Sequence, residues 1–391
     1  MKWSEEHSSI IAGLDLGTTK VCAVIAEQVA ERPPRLIGMG QCPSEGMQRG
    51  AIVDAEKTVY AIGEAMRQAE LMAGVEIDSM YAGISGEYIA SLNSMGMVAV
   101  GSEGGWIGTQ DRARVLAAAG VVKVPFDREV LHVLPQEFAV NGQRGILDPV
   151  GMYGVRLEAS VHVVTSSVAA VRNIYHSILR AGVDVRSVVL GPLASSYAVL
   201  NEDEQQMGVC LLDIGGGTTD VAVFAGKGLR HSGIIGLGGQ NVTNDIGVGL
   251  RTTRAEAERV KCTGLSSAAV AYIVEARMEE ILGLARKQVY TALPNVALGA
   301  GIVLTGGGAQ IAGAVALAER VFGMPVRLGV PVGFEGGATE LASPPYATAL
   351  GLLLYGADRQ QEKNEKEAQV LVEDSFDSVL GRVKRWLQPR D

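Results

Sequence analysis

A strand, glycine turn and strand pattern in the middle of the chain restricts its possible folds more than any other segment. The apolar run 209–212 predicts a buried strand that ends at Asp213, and the run 221–224 predicts a second strand. Between them lie the glycines 215–217, whose N–H groups can converge on one point because glycine adopts backbone angles closed to other residues. The threonines 218–219 add hydroxyl donors. This turn suits a phosphate, with Asp213 as a magnesium or water-holding carboxylate; a tight turn without a ligand is the alternative.

A second copy of the pattern near the N-terminus favours the phosphate interpretation. Residues 14–21, LDLGTTKV, repeat the order of strand, Asp15, glycine, threonine pair and strand. Two turns of one design predict two similar domains that face each other across one ligand. A third glycine run, 306–308, follows the apolar strand 300–304 and precedes a helix-like run, so its backbone can pack flat against a nucleoside.

Together, the three glycine segments carry a resemblance to a known superfamily. GLDLGTTK, LLDIGGGTTDVAVF and VLTGGGAQI resemble the nucleotide-binding core shared by actin, the heat-shock chaperones and sugar kinases. The resemblance implies an α/β, actin-like fold of two duplicated, ribonuclease H-like domains that bind ATP with Mg²⁺ between them. The sequence contains no P-loop motif, and this type of nucleotide site does not need one.

The composition indicates a globular protein without a nucleic-acid partner. At 391 residues, of which 47% are hydrophobic and 20% charged, the chain is long enough for two sizeable cores. A formal net charge of −9 opposes general binding to nucleic acids, which favours a basic surface. The four cysteines form no CxxC pair and are interpreted as buried thiols. The first residues lack the apolar core of a signal peptide, and no apolar run reaches the roughly 20 residues of a spanning helix, which predicts a cytoplasmic protein.

The hydrophobic pattern divides the chain into several parts. Apolar positions at helical spacing predict a helix over 55–73. From residue 86 the hydrophobic pattern changes to that of short strands around one helix, which predicts an inserted small subdomain. The strand 159–165 is expected to return to the first domain, and residues 357–373 are polar and charged, as in a solvated linker. The predicted parts are a first half (8–85 and 159–200), the insertion (86–158), a second half (201–245 and 296–356), a helical region (246–295), the linker (357–373) and a C-terminal helix (374–388).

The C-terminal segment predicts an amphipathic helix that lies in a membrane interface. Its apolar residues recur at helical spacing and fill one arc of about 120° at about 100° per residue, while basic residues lie outside this arc. Aromatic and basic residues on a helix too short to span favour an anionic leaflet, at ~1 kcal/mol per basic residue. A last helix packed against the body is the alternative. The membrane-binding set is Phe376, Val379, Leu380, Val383, Trp386 and Leu387, with Arg382, Lys384 and Arg385 as its basic residues.

Over nearly its whole length, the chain resembles the FtsA family of actin-like division proteins. The resemblance covers the nucleotide turns together with SEGMQRGAIVD, ISGEYIASLNSMG, LHVLPQEFAV, DPVGMYGVRLE, GLGGQNVTNDI, AERVK, PPYATALGLLLYG and the amphipathic tail. It implies a protein at midcell, on the cytoplasmic face of the inner membrane, that polymerises, binds anionic lipids and tethers FtsZ filaments. It also implies that the C-terminal peptide of FtsZ docks on the helical region and that further division proteins are recruited.

The same resemblance implies roles for individual residues. Asp15 and Asp213 are expected to face the metal and the phosphates, with Lys20 as a point charge. Glu258 and Lys261 of AERVK are expected to assist the nucleoside glycines, with a surface ion pair as the alternative. The expected cofactor-binding set is Gly17, Thr18, Thr19, Lys20, Gly215, Gly216, Gly217, Thr218, Thr219, Gly239, Glu258, Lys261, Gly306, Gly307 and Gly308.

One departure from the superfamily pattern bears on hydrolysis. In many actin-like ATPases, an acidic or amide side chain that orients the attacking water stands immediately before a Pro-x-Ala helix start. Here Gly191 precedes Pro192. We therefore expect hydrolysis to be slow or absent, and nucleotide to act mainly by closing the cleft and favouring polymerisation.

Three other functions fit the pattern less well. A PilM-like pilus-assembly scaffold shares the insertion and binds a partner peptide, but ordinarily lacks a membrane-binding tail. A sugar or acetate kinase needs a carboxylate base aimed at an acceptor, and no persuasive candidate is present. A chaperone needs a substrate domain after the nucleotide core, and too few residues follow Gly356.

Overall fold

A computed structural model of the chain describes residues 8–29, 32–101, 103–263, 267–337 and 341–361. The fold opens with an antiparallel meander that leads into one long helix. The elements are β1 (Ser9–Leu16), β2 (Lys20–Gln28), β3 (Arg35–Pro43), β4 (Met47–Gln48), β5 (Ala51–Ile52), α1 (Ala55–Ala73) and β6 (Ser79–Ile84). All of β1 pairs with β2, from Ser9 opposite Gln28 to Leu16 opposite Val21, and β6 returns parallel to β1.

Helix α1 begins and ends where the sequence pattern predicts. Asp54 caps its first turn through a side-chain hydrogen bond, and Gly74 ends it in a left-handed conformation with φ of 71°. The buried face of α1 packs on β3, where Gly38 and Gly40 leave room for the helix backbone, because a Cβ at either position would collide with carbonyls of α1. The predicted helix over 55–73 is therefore confirmed.

The insertion folds as a separate antiparallel sheet with its own helix. Its elements are β7 (Ile89–Ala99), α2 (Thr109–Gly120), β8 (Arg128–Val140), β9 (Gln143–Ile146) and β10 (Arg156–Ser167). The strand order is β7-β10-β8-β9, and alternate residues of β10, such as Leu157 and Val161, pack with Val115 and Ala119 of α2. The expectation that the strand 159–165 returns to the first domain is wrong, because β10 pairs with β7 and β8 along its length.

After the insertion, the chain completes the first sheet and crosses to the second half. The elements are α3 (Val168–Arg180), β11 (Asp184–Leu190) and α4 (Gly191–Val199). β11 pairs parallel to β6, so the first sheet runs in the order β11-β6-β1-β2-β3. Pro192 lies in the first turn of α4, where its missing N–H is not needed.

The second half repeats the topology of the first. Its elements are α5 (Glu202–Met207), β12 (Val209–Ile214), β13 (Thr219–Ala225), β14 (Gly228–Ile235), α6 (Gly239–Leu250), α7 (Arg254–Thr263), α8 (Ala268–Ala292), β15 (Ile302–Thr305), α9 (Ala314–Phe322), β16 (Val326–Leu328) and β17 (Glu335–Gly336). The sheet order β14-β13-β12-β15-β16 matches β3-β2-β1-β6-β11, which confirms the predicted duplication. Two details differ from expectation: the helices begin at Gly239 rather than at residue 246, and β17 crosses back to pair with β3.

A last helix, α10 (347–361), packs against the first half. The expected linker is therefore wrong for residues 357–361, which continue this helix. Contacts with the body hold them: the Tyr197 hydroxyl donates to Asp358 at 3.1 Å, Ser9 Oγ donates to Gln360 Oε1 at 2.8 Å, and the Arg359 guanidinium lies 5.1 Å from the ring centre of Tyr355. The rest of that linker and the amphipathic helix 374–388 lie outside the described residues. Within the described ranges, no helix combines the length and the apolar character needed to cross a membrane.

Candidate functional site

Two hairpin turns with the same hydrogen-bond geometry meet between the two halves. In the turn between β1 and β2, Gly17 N–H donates to Lys20 O at 3.1 Å. In the turn between β12 and β13, Gly215 N–H donates to Thr218 O at 2.9 Å. Lys20 and Thr218 are therefore equivalent positions of the duplicated hairpin.

This equivalence shows that the threonine pairs of the two hairpins do not correspond, although their sequences suggest that they do. Thr18 and Thr19 occupy the positions of Gly216 and Gly217 instead. A Cβ at Gly216 would collide with the Thr19 methyl group, and a Cβ at Gly217 would lie 2.8 Å from Thr18. Threonines at the tip of one turn thus require glycines at the tip of the other, because the two turns are in contact.

The cleft at these turns contains a cavity of about 340 Å³. Two of the expected site residues are not part of its lining. Gly217 packs on Thr18, and the buried Thr219 donates its hydroxyl to Leu237 O at 2.9 Å. The expected residues that do line the cavity are Asp15, Gly17, Thr18, Thr19, Lys20, Asp213, Gly215, Gly216, Thr218, Gly239, Glu258, Lys261, Gly306, Gly307 and Gly308.

Asp15 and Asp213, at the ends of equivalent strands, are buried carboxylates on this cavity. Burial raises the pKa of Asp15 to about 7; the Lys20 ammonium opposes this rise, and the Asp213 charge adds to it. Burial also raises the pKa of Asp213, although the hydroxyls of Ser195 and Thr348 donate hydrogen bonds that lower it. Carboxylates that have lost their hydration are suited to a cation that compensates their charge.

Asp220 is a third buried carboxylate on the cavity, and the sequence analysis missed it. It lies opposite Asp213 in the register of β12 and β13, and Ser85 Oγ from the first half donates to Asp220 Oδ1 at 2.5 Å. Burial raises its pKa well above the usual range, and the Asp213 charge adds to the rise. Counting residues outward from the glycine turn would have paired these two acids, so the signal was present in the sequence.

Asp220 also lies close to Gly191, the glycine that departs from the superfamily pattern. A Cβ at Gly191 would lie 3.6 Å from Asp220 Oδ2. A side chain at the position of Gly191, where the sequence analysis expects the water-orienting residue of many actin-like ATPases, would therefore stand beside Asp220.

Residues of helices α6 and α7 form another part of the cavity wall. Lys261 Nζ lies 2.8 Å from Glu258 Oε2, 2.9 Å from Thr243 Oγ1 and 3.2 Å from Gly239 O. Only 12% of the Lys261 side chain is exposed, so this ion pair is part of the cavity wall and holds the start of α6 against α7.

The third glycine turn borders the cavity next to the second hairpin. Gly306 has φ of 81°, and a Cβ there would collide with Asp213, so only glycine fits. A Cβ at Gly308 would collide with Ile214, which keeps this turn flat against β12. A Cβ at Gly307 would meet no atom within 4 Å, which indicates that Gly307 faces open space.

The donor set fits a phosphate group together with a hard divalent cation. Two ammonium groups, four carboxylates and close-packed glycine turns line one cavity. Among the described residues, no cluster of three or more His, Cys, Asp or Glu side chains forms a complete metal site. Mg²⁺ usually binds through one or two carboxylates and completes its shell with phosphate oxygens and water, so the separated acids agree with this mode.

Comparison with known protein families shows to which family the chain belongs. Residues 86–165 match the model of the SHS2 domain inserted in FtsA, and residues 210–351 match the model of the cell division protein FtsA. The cell division protein FtsA of Pseudomonas aeruginosa is 40% identical over 98% of this chain and 99% of its own length. The chain belongs to the FtsA family of cell division proteins. The FtsA of Escherichia coli is 37% identical over 97% of each chain.

The FtsA family models and the fold agree on the insertion. The SHS2 match ends at residue 165, inside β10, which supports the assignment of this strand to the inserted sheet. The family resemblance inferred from the sequence motifs is confirmed.

Solved structures show that this FtsA-family chain has an actin-like fold. The structure of a PilM–PilN type IV pilus biogenesis complex matches with a TM-score of 0.67 and 18% identity, over 89% of this chain and 98% of that chain. MreB5 of Spiroplasma citri bound to ADP matches with a TM-score of 0.52 and 14% identity, over 91% and 98%. At these identities the similarity concerns the fold alone.

Proposed function

We propose that this FtsA-family chain binds ATP with Mg²⁺ in the cleft between its halves and acts as a nucleotide-dependent scaffold. The observation that carries the proposal is the pair of equivalent hairpins whose terminal acids, Asp15 and Asp213, line one cavity. Because each hairpin belongs to a different sheet, a ligand that touches both holds the two halves in one arrangement. The ADP bound to the MreB5 relative of the fold supports a nucleotide as that ligand.

Different residues of the cavity bind the phosphates, the metal ion and the nucleoside of the proposed ligand. Thr18, Thr19 and Lys20 bind the phosphates where the two turns meet, with the ammonium compensating negative charge. Asp15 and Asp213 hold Mg²⁺, which neutralises phosphate charge when bound. Further members of the site enclose the nucleoside: Gly239, Glu258, Lys261, Gly306, Gly307 and Gly308.

Binding of ATP is tested by titration calorimetry in the presence of Mg²⁺. Asp213→Ala removes one metal-facing carboxylate, and we expect the affinity for ATP to fall at least about tenfold. The matched control is Asp54→Asn, which keeps the cap of α1 far from the cavity and should bind like the parent. Equal affinities of parent and Asp213→Ala would show that the nucleotide does not bind at this cavity.

Hydrolysis is proposed to be slow, so that the bound nucleotide acts mainly by closing the cleft between the two halves. Gly191 provides no side chain to orient a water molecule, and the cleft instead joins the two halves through hydrogen bonds such as the one from Ser85 to Asp220. A closed cleft presents both halves in a fixed relation, which favours a regular polymer. Turnover of several ATP per second by the purified protein, abolished in Asp213→Ala, would refute the scaffold proposal.

The amphipathic C-terminal segment is proposed as the membrane anchor, which would locate the protein peripherally at the cytoplasmic face of the inner membrane. The support is the sequence pattern: six apolar residues on one arc, including Phe376 and Trp386, with Arg382, Lys384 and Arg385 beside it. One such segment binds weakly, and several segments on one polymer bind much more strongly because each attachment raises the effective concentration of the next. Polymerisation and membrane attachment are therefore coupled in this proposal.

Sedimentation with anionic liposomes tests the anchor. Trp386→Glu places a charge on the apolar arc and should abolish binding, while the protein stays folded by circular dichroism. Gln388→Glu is the matched control, because it adds the same charge outside the arc and should retain most of the binding. Undiminished sedimentation of Trp386→Glu would exclude this segment as the anchor.

Membership of a family of cell division proteins supports partners in the division machinery. We propose that the chain assembles into filaments at midcell, that the helical region 246–295 receives the C-terminal peptide of FtsZ, and that further division proteins join the assembly. Fluorescence anisotropy with a labelled FtsZ C-terminal peptide tests the docking of this peptide, and no binding to the full-length protein would exclude it.

The alternative is a PilM-like role as a peptide-binding scaffold, since a PilM–PilN complex has the same type of fold. Failure of the liposome test together with absent filaments would favour this alternative.

A further inference from the structure

Lys20, the lysine of the first hairpin, rests on an aromatic ring that the sequence analysis did not connect with it. Its ammonium nitrogen lies 3.4 Å from the ring centre of Tyr346. A cation within about 6 Å of a ring centre is attracted by the electron density of the ring face. Lys20 lines the cavity, whereas Tyr346 is not among the lining residues, so the lysine connects the ring with the cavity.

The ring of Tyr346 is held independently of the lysine. Tyr346 ends the short helical turn Pro344–Tyr346, and Pro344 O accepts hydrogen bonds from Gly306 N–H at 3.2 Å and Thr305 Oγ1 at 3.4 Å. The Tyr346 hydroxyl donates to Gln41 Oε1 of β3 at 3.3 Å. The ring is thus fixed to the nucleoside-side glycine turn at one end and to the first sheet at the other.

An aromatic ring suits this position better than a carboxylate would. A lysine side chain has four rotatable bonds, and fixing it costs conformational entropy that some contact must offset. A carboxylate could fix the lysine, but it would accept hydrogen bonds from the N–H groups that a phosphate needs. Two carboxylates, Asp15 and Asp213, are already close enough to act on Lys20 electrostatically. The ring face attracts the charge without consuming those donors.

We propose that Tyr346 is a positioning residue, which holds the Lys20 ammonium at the cavity wall so that its N–H donors stay available to a phosphate. The identity of the ligand as a phosphate rests on the proposed function, whereas the positioning of Lys20 by Tyr346 does not. Because Pro344 O accepts a hydrogen bond from Gly306 N–H, the same turn also links Lys20 to the third glycine turn.

Chemical reactivity of Lys20 in the nucleotide-free, full-length protein tests the positioning directly. Tyr346→Leu and Tyr346→Met remove the ring, and we expect Lys20 to react about fivefold or more faster with an amine-acylating reagent, as quantified by mass spectrometry. Tyr346→Phe keeps the ring on the turn Pro344–Tyr346 and loses only the long hydroxyl bond to Gln41, so it should react within about twofold of the parent. Lys57, which pairs with Glu45 at 3.2 Å on the surface, is the internal control and should react equally in all variants.

A second readout uses the ligand. In the ringless variants we expect affinity for ATP to fall about fivefold, while affinity for adenosine stays unchanged and Tyr346→Phe binds like the parent. Unchanged Lys20 reactivity in both ringless variants, which circular dichroism must show to be folded, would overturn the proposal. If the parent itself bound no ATP, the proposed function would fail, and the reactivity comparison would still decide the role of Tyr346.

Discussion

Ser195 of α4 donates a hydrogen bond of 2.6 Å to Asp213 Oδ2, so a helix that connects the two halves is tied to the acid at the tip of β12. Thr348 of α10 reaches the same oxygen atom at 3.2 Å, and the two hydroxyls lie 2.9 Å apart. Helices α4 and α10 are themselves in close contact, because Gly351 packs directly on the backbone of Ala194. The position of one carboxylate oxygen therefore depends on both helices.

Removing the Ser195 hydroxyl should destabilise the protein and perturb the site. In Ser195→Ala the buried Asp213 loses its shortest hydrogen bond, and we expect the free energy of unfolding in urea to fall by about 1 to 3 kcal/mol. Ser196→Ala is the matched control: this buried hydroxyl donates at 2.7 Å to Leu193 O of its own helix, and its loss should cost about 1 kcal/mol or less. Equal losses in the two variants would show that the bond to Asp213 has no special weight.

The contact between the two turns can be tested by a double-mutant cycle. Gly216→Ala places a methyl group against the Thr19 methyl, and we expect it to separate the turns and to weaken ATP binding at least about tenfold. Thr19→Ser removes the opposing methyl and keeps the hydroxyl, so it should restore much of the loss, with a coupling energy of about 1 to 3 kcal/mol. Additive effects would contradict the contact.

A matched control for the glycine substitution lies in α1. A Cβ at Gly63 would meet no atom within 4 Å, and Gly63 is inside a helix. Gly63→Ala should therefore stabilise the protein by about 0.5 to 1 kcal/mol and leave ATP binding unchanged.

The raised pKa of Asp15 predicts a pH dependence of stability. The carboxyl has a pKa near 3.8 when unperturbed and about 7 in the folded protein, because burial favours the protonated form. The folded state then binds more protons than the unfolded state between these values, so the free energy of unfolding should fall as pH rises from about 4 to about 7.

Substitution of Asp15 isolates this dependence. Asp15→Asn imitates the protonated carboxyl, so without metal it should equal the parent near pH 4 and exceed it by on the order of 4 kcal/mol at pH 8, given the rise of the pKa from 3.8 to about 7. Urea unfolding of both proteins in the presence of a chelator, at several pH values, gives the comparison. A constant difference between parent and variant across this range would contradict a raised pKa at Asp15.

The acid missed by sequence analysis should matter for hydrolysis more than for binding. Asp220 lies on the cavity beside Gly191, so Asp220→Asn should lower the proposed slow ATP hydrolysis at least about tenfold. Affinity for ATP should change less than about threefold, because the proposed phosphate and metal contacts come from other residues. Single-turnover assays with labelled ATP measure the first effect, and Asp54→Asn is the isosteric control. Hydrolysis equal to the parent would exclude Asp220 as the group that activates water.

Local patterns in the sequence determined much of the fold. The two hairpins, the acids at their strand ends and the helix between Asp54 and Gly74 follow from strand alternation, glycine turns and capping, all of which act between near neighbours in the chain. The duplicated topology follows from the repeat of one such hairpin.

Only the tertiary structure decided which distant segments meet. The alternation within β10 predicts a strand but not its sheet, and the polar sequence after residue 357 gives no sign that Tyr197 and Tyr355 hold it in a helix. The contact of Thr19 with Gly216, the bond from Ser85 to Asp220 and the ring of Tyr346 beneath Lys20 join residues from distant parts of the sequence. Such contacts depend on how the two sheets dock, and a local pattern carries no information about the surface that it will face.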